Sequence, residues 1–248
     1  KKQGMFLTPK RVLQSFIDAI EAKLEPQSIL RGHRVLKVEK REKGYKLMLN
    51  SSEVIEADVI ISTIPHNHLS TVFSDYPFFE TLDLVPSTSV ANVALAFPKS
   101  ALKKDIDGTG FVVSRNSDYT ITAITWVHKK WPHACPDDKI LLRCFVGRAG
   151  DETVVDLSDD QIINIVLEDV NKTMDIANEP EFAVISRWKE AMPQYTVGHN
   201  ERIANIRNQM KKELPGVFLA GSSFEGLGIP DCIDQGENAV KNVLEFLK

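Results

Sequence analysis

The chain has 248 residues, of which 43% are apolar and 26% are charged, with 13 glycines and 12 prolines. This composition is that of a globular protein and excludes collagen-like, low-complexity and disordered polymers. No apolar run reaches the roughly 18 residues that a membrane helix needs, and the net charge of −4 gives no global positive field for nucleic acid. We therefore expect neither a transmembrane segment nor a nucleic-acid partner.

The basic residues are concentrated near the start of the chain. Residues 1–50 contain 12 Lys or Arg but only 5 Asp or Glu. We interpret this surplus as a solvated helix face followed by a solvated hairpin. The alternative is local attraction for a polyacidic ligand or for an anionic membrane surface.

The three cysteines, Cys135, Cys144 and Cys232, show no CxxC spacing. An odd number without such spacing predicts reduced thiols with no disulfide framework. We also expect no metal site, because the spacing of His128, His133 and Cys135 fits no zinc pattern and lacks a fourth ligand. No signal peptide is visible. We therefore expect a cytoplasmic protein, either free or peripheral to a membrane.

The first elements in chain order are a helix, a hairpin and a strand. Thr8 suits the N-cap of a helix with Pro9 at its first position, and apolar residues then recur at helical spacing up to Leu24, which predicts one buried face. "HRVLKVEKR" and "GYKLMLN" read as a β-hairpin. "VIIS", ended shortly afterwards by Pro65, predicts a strand covered on both faces.

The middle of the chain is rich in strands. "TSVANVALAF", "GTGFVVSR", "YTITAITWVH" and "KILLRCFVG" predict an antiparallel or mixed sheet. A helix follows, with Ser158 as N-cap and Gln161 completing a capping box, and then the strand "AVISRW". A polar helix, the short buried strand "GVFLAG" and a closing helix end the chain.

Residues 215–240 form the most informative stretch. A strand over Val217–Ala220 runs into a loop that contains Gly221, Gly226 and Gly228, and the last helix begins near Asp231. Glycines allow close approach of the backbone to a ligand, and a helix N-terminus offers free N–H donors. The junction suits a phosphate or the electron-rich edge of a flavin ring, and a merely tight turn is the alternative.

Four stretches of the sequence carry a resemblance to a known family: "FLTPKRVLQSFIDAI", "SVANVALAFPK", "RWKEAMPQYTVGHNERI" and "AGSSFEGLGIPDCIDQG". They resemble motifs of the protoporphyrinogen and coproporphyrinogen oxidases of the flavin amine oxidase superfamily, although Lys10 and Arg11 replace common glycines in the first of them. Together they run from residue 6 to residue 236 in the family's order. The combination of the third and fourth motifs is the specific part of the resemblance.

The resemblance implies an FAD site and a substrate site. The implied FAD contacts are Val35 through its backbone, Trp188 beside the cofactor, and Leu227, Gly228, Ile229 and Asp231 at the isoalloxazine. The implied substrate contacts are the apolar side chains of Val112, Ile124 and Phe145. Four cations are candidates to attract the propionates of a tetrapyrrole: Lys129, Lys130, Arg143 and Arg148.

The resemblance further implies an oxygen-dependent, FAD-dependent porphyrinogen oxidase of haem biosynthesis. Six electrons would leave coproporphyrinogen III or protoporphyrinogen IX, each pair as a hydride from a meso carbon to flavin N5, with molecular oxygen as acceptor and hydrogen peroxide as product. The family's GxGxxG pyrophosphate loop is absent from this sequence. We therefore expect a fragment from the C-terminal half of such an enzyme, inactive alone and unable to retain FAD.

Two other functions remain open from sequence. The first is another superfamily member, such as an amine oxidase that tethers FAD through a cysteine, for which Cys232 is the candidate. The second is a non-catalytic tetrapyrrole-binding module, which would need no GxGxxG. The sequence does not distinguish the two porphyrinogens.

The predicted fold class is α/β with α+β character in the middle. Residues 1–66 and 190–248 would form part of a doubly wound FAD-binding domain, and residues 67–189 a substrate domain with a mixed sheet. Apolar edges left on the partial domain would favour a homodimer.

Overall fold

The fold was analysed in a computed structural model, which describes residues 7–103, 105–176 and 179–248. The chain divides into two compact units. Unit 1 comprises Lys1–Ile29 and Thr88–Met192, and unit 2 comprises Leu30–Ser87 and Pro193–Lys248. Residues 7–29 thus group with the middle sheet, and residues 67–87 group with the closing segment. The division into an FAD-binding domain of residues 1–66 and 190–248 and a substrate domain of residues 67–189 stays a prediction.

The chain contains both helices and strands, as expected for the predicted fold class. The helices are α1 (Gln14–Glu21), α2 (Leu69–Val72), α3 (Val127–Lys130), α4 (Asp159–Met174), α5 (His199–Glu213) and α6 (Ile229–Phe246). The strands are β1 (Val35–Lys40), β2 (Tyr45–Leu49), β3 (Val54–Ala57), β4 (Ile60–Ser62), β5 (Ser87–Pro98), β6 (Gly110–Val112), β7 (Ile121–Trp126), β8 (Lys139–Val146), β9 (Phe182–Pro193) and β10 (Val217–Leu219). Short 3-10 turns join several of them.

Unit 1 is built on a five-stranded sheet in the order β6-β7-β8-β5-β9. The pairs β6–β7, β7–β8 and β8–β5 are antiparallel. Helix α4 packs on one face, where Val166 and Val170 join the buried residues of the strands in one hydrophobic core. The predicted capping box is confirmed, because the Ser158 hydroxyl accepts from the Gln161 N–H while the Gln161 side chain accepts from the Ser158 N–H.

Unit 2 contains two small sheets around a second core. Strands β1, β2 and β3 form an antiparallel sheet, which includes the predicted hairpin, and β10 pairs with β4 in parallel. Apolar residues of α5 and of residues 69–85 pack with these strands in that core. Phe224, in the loop after β10, belongs to the same core and fixes one end of the glycine-rich stretch.

The first helix differs from its prediction. It begins at Gln14 with Leu13 at the N-cap position, so the prediction of Thr8 as N-cap is wrong. The physical reason is that Val12 adopts a left-handed φ of 60° and closes a turn to the Pro9 carbonyl, which stops the helix from starting earlier. The expected buried face is also wrong, because no residue of α1 is buried.

The strand within "VIIS" is present as β4, but it is not covered on both faces as expected. Ile61 is exposed, whereas Ser62 on the other side of the pleat is buried. Among the described residues β4 pairs with β10 alone. Within the same residues no helix has the length and apolar character required to cross a bilayer.

Candidate functional site

The loop of residues 220–228 in unit 2 connects β10 to α6 and contains two of the predicted flavin contacts, Leu227 and Gly228. Gly226 has a φ of 127°, and a Cβ added there would lie 2.7 Å from the side chain of Asp231. The Asp231 carboxylate accepts a hydrogen bond from the Gly228 N–H at 3.1 Å. Glycine is therefore required at position 226 by both backbone conformation and space. The carboxylate ties the end of the loop to the first turn of α6.

Tyr195 braces the middle of this loop. Its hydroxyl donates to the Ser222 carbonyl at 2.7 Å and accepts from the Gly226 N–H at 3.0 Å. Burial raises the pKa of Tyr195, so the phenol stays protonated and available as a donor at neutral pH. One side chain thus satisfies two backbone groups four residues apart in the loop.

His199 supports the same loop from the first turn of α5. Its Nε2 lies 2.9 Å from the Phe224 carbonyl, which can only accept, so Nε2 carries the proton. Its ring stacks on the Tyr195 ring, with centroids 3.8 Å apart and planes 10° from parallel. Its Nδ1 is buried with no partner in the part of the chain that the structure describes.

His66 and Gln235 also make hydrogen bonds to the loop. The Ser223 hydroxyl accepts from the His66 backbone N–H and lies 3.2 Å from His66 Nδ1. Because His66 Nε2 donates to the Val85 carbonyl at 2.9 Å, Nδ1 is the acceptor for the Ser223 proton. The Gln235 side-chain oxygen accepts from the Gly221 N–H. The loop conformation is therefore fixed by side chains from several elements of unit 2.

The braced loop presents a mixed apolar and hydrogen-bonding surface. Leu227 and Ile229 are about half exposed at the start of α6. The first-turn N–H groups of Ile229 and Asp231 have no acceptor within the helix, and Pro230 has no N–H. This arrangement fits the electron-rich edge of a planar ring, since the helix N-terminus favours negative charge beside an apolar contact.

Four of the six predicted cofactor contacts are brought together at this loop: Leu227, Gly228, Ile229 and Asp231. Val35 lies apart, in the edge strand β1, and its side chain packs against the core of unit 2. Trp188 lies in β9, which belongs to unit 1. The roles of all six residues toward FAD stay predictions.

The face of the unit 1 sheet opposite α4 carries two of the three predicted substrate contacts. Val112 is paired with Ala123, which is paired with Phe145, so the three side chains lie on one face. Val112 is 84% exposed on this face. Ile124 lies on the other face, opposite Phe111 and Cys144, and is only 2% exposed within the core. The structure therefore does not place Ile124 with Val112 and Phe145.

Trp188 lies on the same open face of this sheet. Along β9, Ala183 and Ile185 pack against the core, and the Arg187 side chain donates to the Val155 carbonyl beside α4. Because strand side chains alternate, Trp188 points to the opposite face, where it is 58% exposed. The open face thus combines a flat apolar surface with large exposed side chains, which is typical of a binding surface.

Arg143 is the cation at the centre of this open face. Its guanidinium lies 5.8 Å from the Trp131 ring centroid and 5.2 Å from that of Phe145. Its Nε is buried with no hydrogen-bond partner among the described residues. Another candidate cation, Lys129, is instead paired with Asp105 at 2.5 Å and bonded to the Ile106 carbonyl.

Comparison with known proteins identifies the family. The chain matches the model of the flavin containing amine oxidoreductases over residues 1–244. It belongs to this family. The chain is 49% identical over 247 residues to the coproporphyrinogen III oxidase of Bacillus subtilis, a match that covers 100% of the chain and 53% of that protein.

Other family members agree with this assignment. Coproporphyrinogen III oxidase of Staphylococcus aureus is 37% identical over 99% of the chain and 53% of that protein. A crystal structure from Exiguobacterium sp. 255-15, described as that of a protoporphyrinogen oxidase, superposes on the chain with a TM-score of 0.89 at 33% sequence identity. The superposition covers 100% of this chain and 53% of the Exiguobacterium chain. The chain thus spans about half the length of the relatives it matches.

Several residues of the loop and the open face had no assigned role in the sequence analysis. Tyr195 and His199 stand in the "PQYTVGH" part of a quoted motif, but nothing in the sequence indicates that they stack or that they bond to a loop about 25 residues later. His66 and Ser223 are 157 residues apart, so no local pattern connects them. Trp131 reads from sequence as an ordinary aromatic residue.

Proposed function

We propose that this chain forms part of an FAD-dependent, oxygen-dependent coproporphyrinogen III oxidase. The observation that carries the proposal is the 49% identity to the Bacillus subtilis enzyme along the whole chain. The proposed reaction removes six electrons and six protons from the porphyrinogen, and three molecules of oxygen take them up as hydrogen peroxide. Protoporphyrinogen IX is the alternative substrate.

The loop of unit 2 has the chemistry expected of a flavin contact. FAD would supply the two-electron acceptor for each oxidation step. Leu227 and Ile229 would contact the ring system, and the N-terminus of α6 would lie at its pyrimidine edge. A helix N-terminus there stabilises negative charge on the reduced ring. Tyr195 and His199 would keep the loop in the shape that makes these contacts.

The open face of unit 1 has the chemistry expected of a tetrapyrrole contact. Val112, Phe145 and Trp188 offer an apolar surface on rigid strands, which suits a flat macrocycle and excludes water from it. Strand positions hold side chains more precisely than loops do. The face would therefore hold and orient the macrocycle.

A chimera tests the proposed function directly. The chain replaces the matching 53% of the Bacillus subtilis coproporphyrinogen III oxidase, and coproporphyrin fluorescence is followed as coproporphyrinogen III is oxidised in air. We expect FAD to be retained and one porphyrin to form per three hydrogen peroxide molecules. A folded chimera that retains FAD but produces no porphyrin would overturn the proposal.

A flavin titration tests the cofactor part separately. Because this sequence contains no GxGxxG, we expect no saturable quenching of FAD fluorescence by the chain alone and tight retention by the chimera. Stoichiometric FAD binding by the chain alone would show that its own residues hold the pyrophosphate. Flavin that stayed with the denatured chain would instead indicate a covalent tether, with Cys232 as the candidate.

A further inference from the structure

Arg143 differs from three other cations of unit 1 that lie beside its sheet. Lys139 is paired with Glu181 at 2.7 Å, Arg187 with Asp159 at 2.6 Å, and Lys129 with Asp105 at 2.5 Å. Arg143 has no carboxylate partner in the described part of the chain, and its Nε is buried without an acceptor. A buried donor of a charged group without a partner costs free energy, so this position needs an explanation.

The surroundings of Arg143 explain why it is poorly solvated. The Trp131 and Phe145 rings lie within 6 Å of its guanidinium, and both exclude water from its faces. Burial lowers the pKa of Arg143, which means that the protein around it stabilises the cation less than water does. Guanidinium nevertheless stays protonated at neutral pH. The cation is thus held on a strand with aromatic contacts but without a carboxylate partner among the residues that the structure describes.

We propose that Arg143 is the receptor for a carboxylate of the ligand that lies on the open sheet face. This inference rests on the proposed function and names a specificity determinant within it. The planar fork of a guanidinium matches a carboxylate, and a partly desolvated fork binds it more strongly than an exposed one. The neighbouring apolar residues Val112 and Phe145 would contact the body of the same ligand. The ligand class is therefore a flat apolar molecule with at least one peripheral carboxylate, which includes tetrapyrrole propionates.

A porphyrin titration tests this proposal on the chain itself. The probes are coproporphyrin III and its tetramethyl ester, which has the same ring but no free carboxylates, and binding is followed by quenching of tryptophan fluorescence. The variants are Arg143→Gln and Arg143→Lys. Arg115→Gln is the matched control, because it removes one positive charge from an exposed loop of the same unit. Circular dichroism melts verify that each variant folds.

The expected result is a selective loss of acid binding. Arg143→Gln should weaken the binding of coproporphyrin III by about ten- to a hundredfold, as for the loss of one charge-assisted pair, and leave the ester unchanged. Arg143→Lys should retain part of the preference for the acid over the ester, and Arg115→Gln should retain all of that preference. In the unaltered protein, the Arg143 Nε–H resonance in a ¹⁵N NMR spectrum should shift with the acid but not with the ester.

Three outcomes would overturn the proposal. Equal loss of acid and ester in Arg143→Gln would show that the residue acts by packing alone, and the proposed function would stand. If the unaltered protein bound the acid and the ester equally well, the proposed carboxylate receptor would be refuted, whereas the proposed tetrapyrrole site would stand. No saturable binding of either porphyrin would count against both this inference and the proposed function.

Discussion

The Tyr195 ring lies parallel to the His199 ring, with centroids 3.8 Å apart, and each side chain bonds to a different carbonyl of the same loop. Tyr195 holds Ser222 and His199 holds Phe224, so the stack links the two anchoring points. A movement of either ring would disturb both hydrogen bonds. We therefore infer that Tyr195 and His199 together fix the conformation of the glycine-rich loop.

Removal of the Tyr195 hydroxyl should loosen the loop without unfolding the protein. Tyr195→Phe keeps the stack but leaves the Ser222 carbonyl and the Gly226 N–H without their partner. Each lost bond is worth about 0.5–1.5 kcal/mol, so the amides of residues 221–226 should exchange about tenfold faster, measured by hydrogen–deuterium exchange. Tyr76→Phe is the control, since no hydrogen bond of its hydroxyl is found among the described residues. Unchanged exchange in Tyr195→Phe would show that the Tyr195 hydroxyl does not stabilise the loop conformation.

Two glycine substitutions should have opposite effects on stability. Gly226→Ala places a Cβ 2.7 Å from Asp231 at a φ of 127° and should lower the free energy of unfolding by about 1–3 kcal/mol. Gly236→Ala, within α6 and with no atom within 4 Å of the added Cβ, should raise it by about 0.5–1 kcal/mol. Urea unfolding of both variants measures the difference. If the two substitutions changed the free energy of unfolding equally, a side chain at position 226 would not strain the loop.

The Asp169 carboxylate should be a major contributor to the stability of unit 1. It is 3% exposed and accepts the N–H groups of Thr120 and Ile121 at 2.6 and 2.9 Å, and it is paired with Lys172. Asp169→Ala leaves two N–H groups unpaired at the start of β7, so we expect a loss of about 2–4 kcal/mol in urea unfolding.

The matched control for Asp169 is an exposed ion pair of the same unit. Asp156 pairs with Lys189 at 2.5 Å, with both side chains more than half exposed. Asp156→Ala should therefore cost less than about 1 kcal/mol. The loss of stability in Asp169→Asn, which retains one acceptor oxygen, should lie between the losses in Asp169→Ala and Asp156→Ala. If Asp169→Ala lost no more stability than Asp156→Ala, Asp169 would not be a major contributor to the stability of unit 1.

Tyr45 should make stability depend on pH in the alkaline range. It is 3% exposed, its hydroxyl donates to the Pro215 carbonyl at 2.6 Å, and burial raises its pKa from 10.0 to about 12. Because the folded-state pKa is higher than the unfolded one, the folded protein retains the proton longer. This stabilisation is fully present below pH 10 and is lost as the pH rises toward 12.

The measurement is urea unfolding at several pH values between 9 and 12. Tyr45 should contribute a decrease of order 2 kcal/mol over this range, and Tyr45→Phe should flatten the curve by that amount. The absorbance of tyrosinate at 295 nm reports the titration independently. A curve for Tyr45→Phe that falls as steeply as that of the unaltered protein would exclude Tyr45 as the cause.

Local patterns in the sequence were sufficient for most elements. The capping box at Ser158 and Gln161 depends on residues three apart, and the hairpin of β1 and β2 depends on adjacent segments, so both were predictable. The first helix was not, because the left-handed Val12 breaks a pattern that is helical by spacing alone. The face on which Ile124 lies was also not predictable, because a register irregularity between Ile121 and Ala123 changes the alternation in β7.

The sequence by itself determined the family, the glycines of the loop and the position of α6, because each depends on residue types within short stretches. Only the tertiary structure decided that Tyr195 and His199 support that loop and that Val112, Phe145 and Trp188 lie on one sheet face. It also decided that Arg143 has aromatic neighbours but no carboxylate partner within the described parts of the chain. The reason is physical. Strand register and the packing of distant segments decide which side chains meet, and neither is encoded in local spacing.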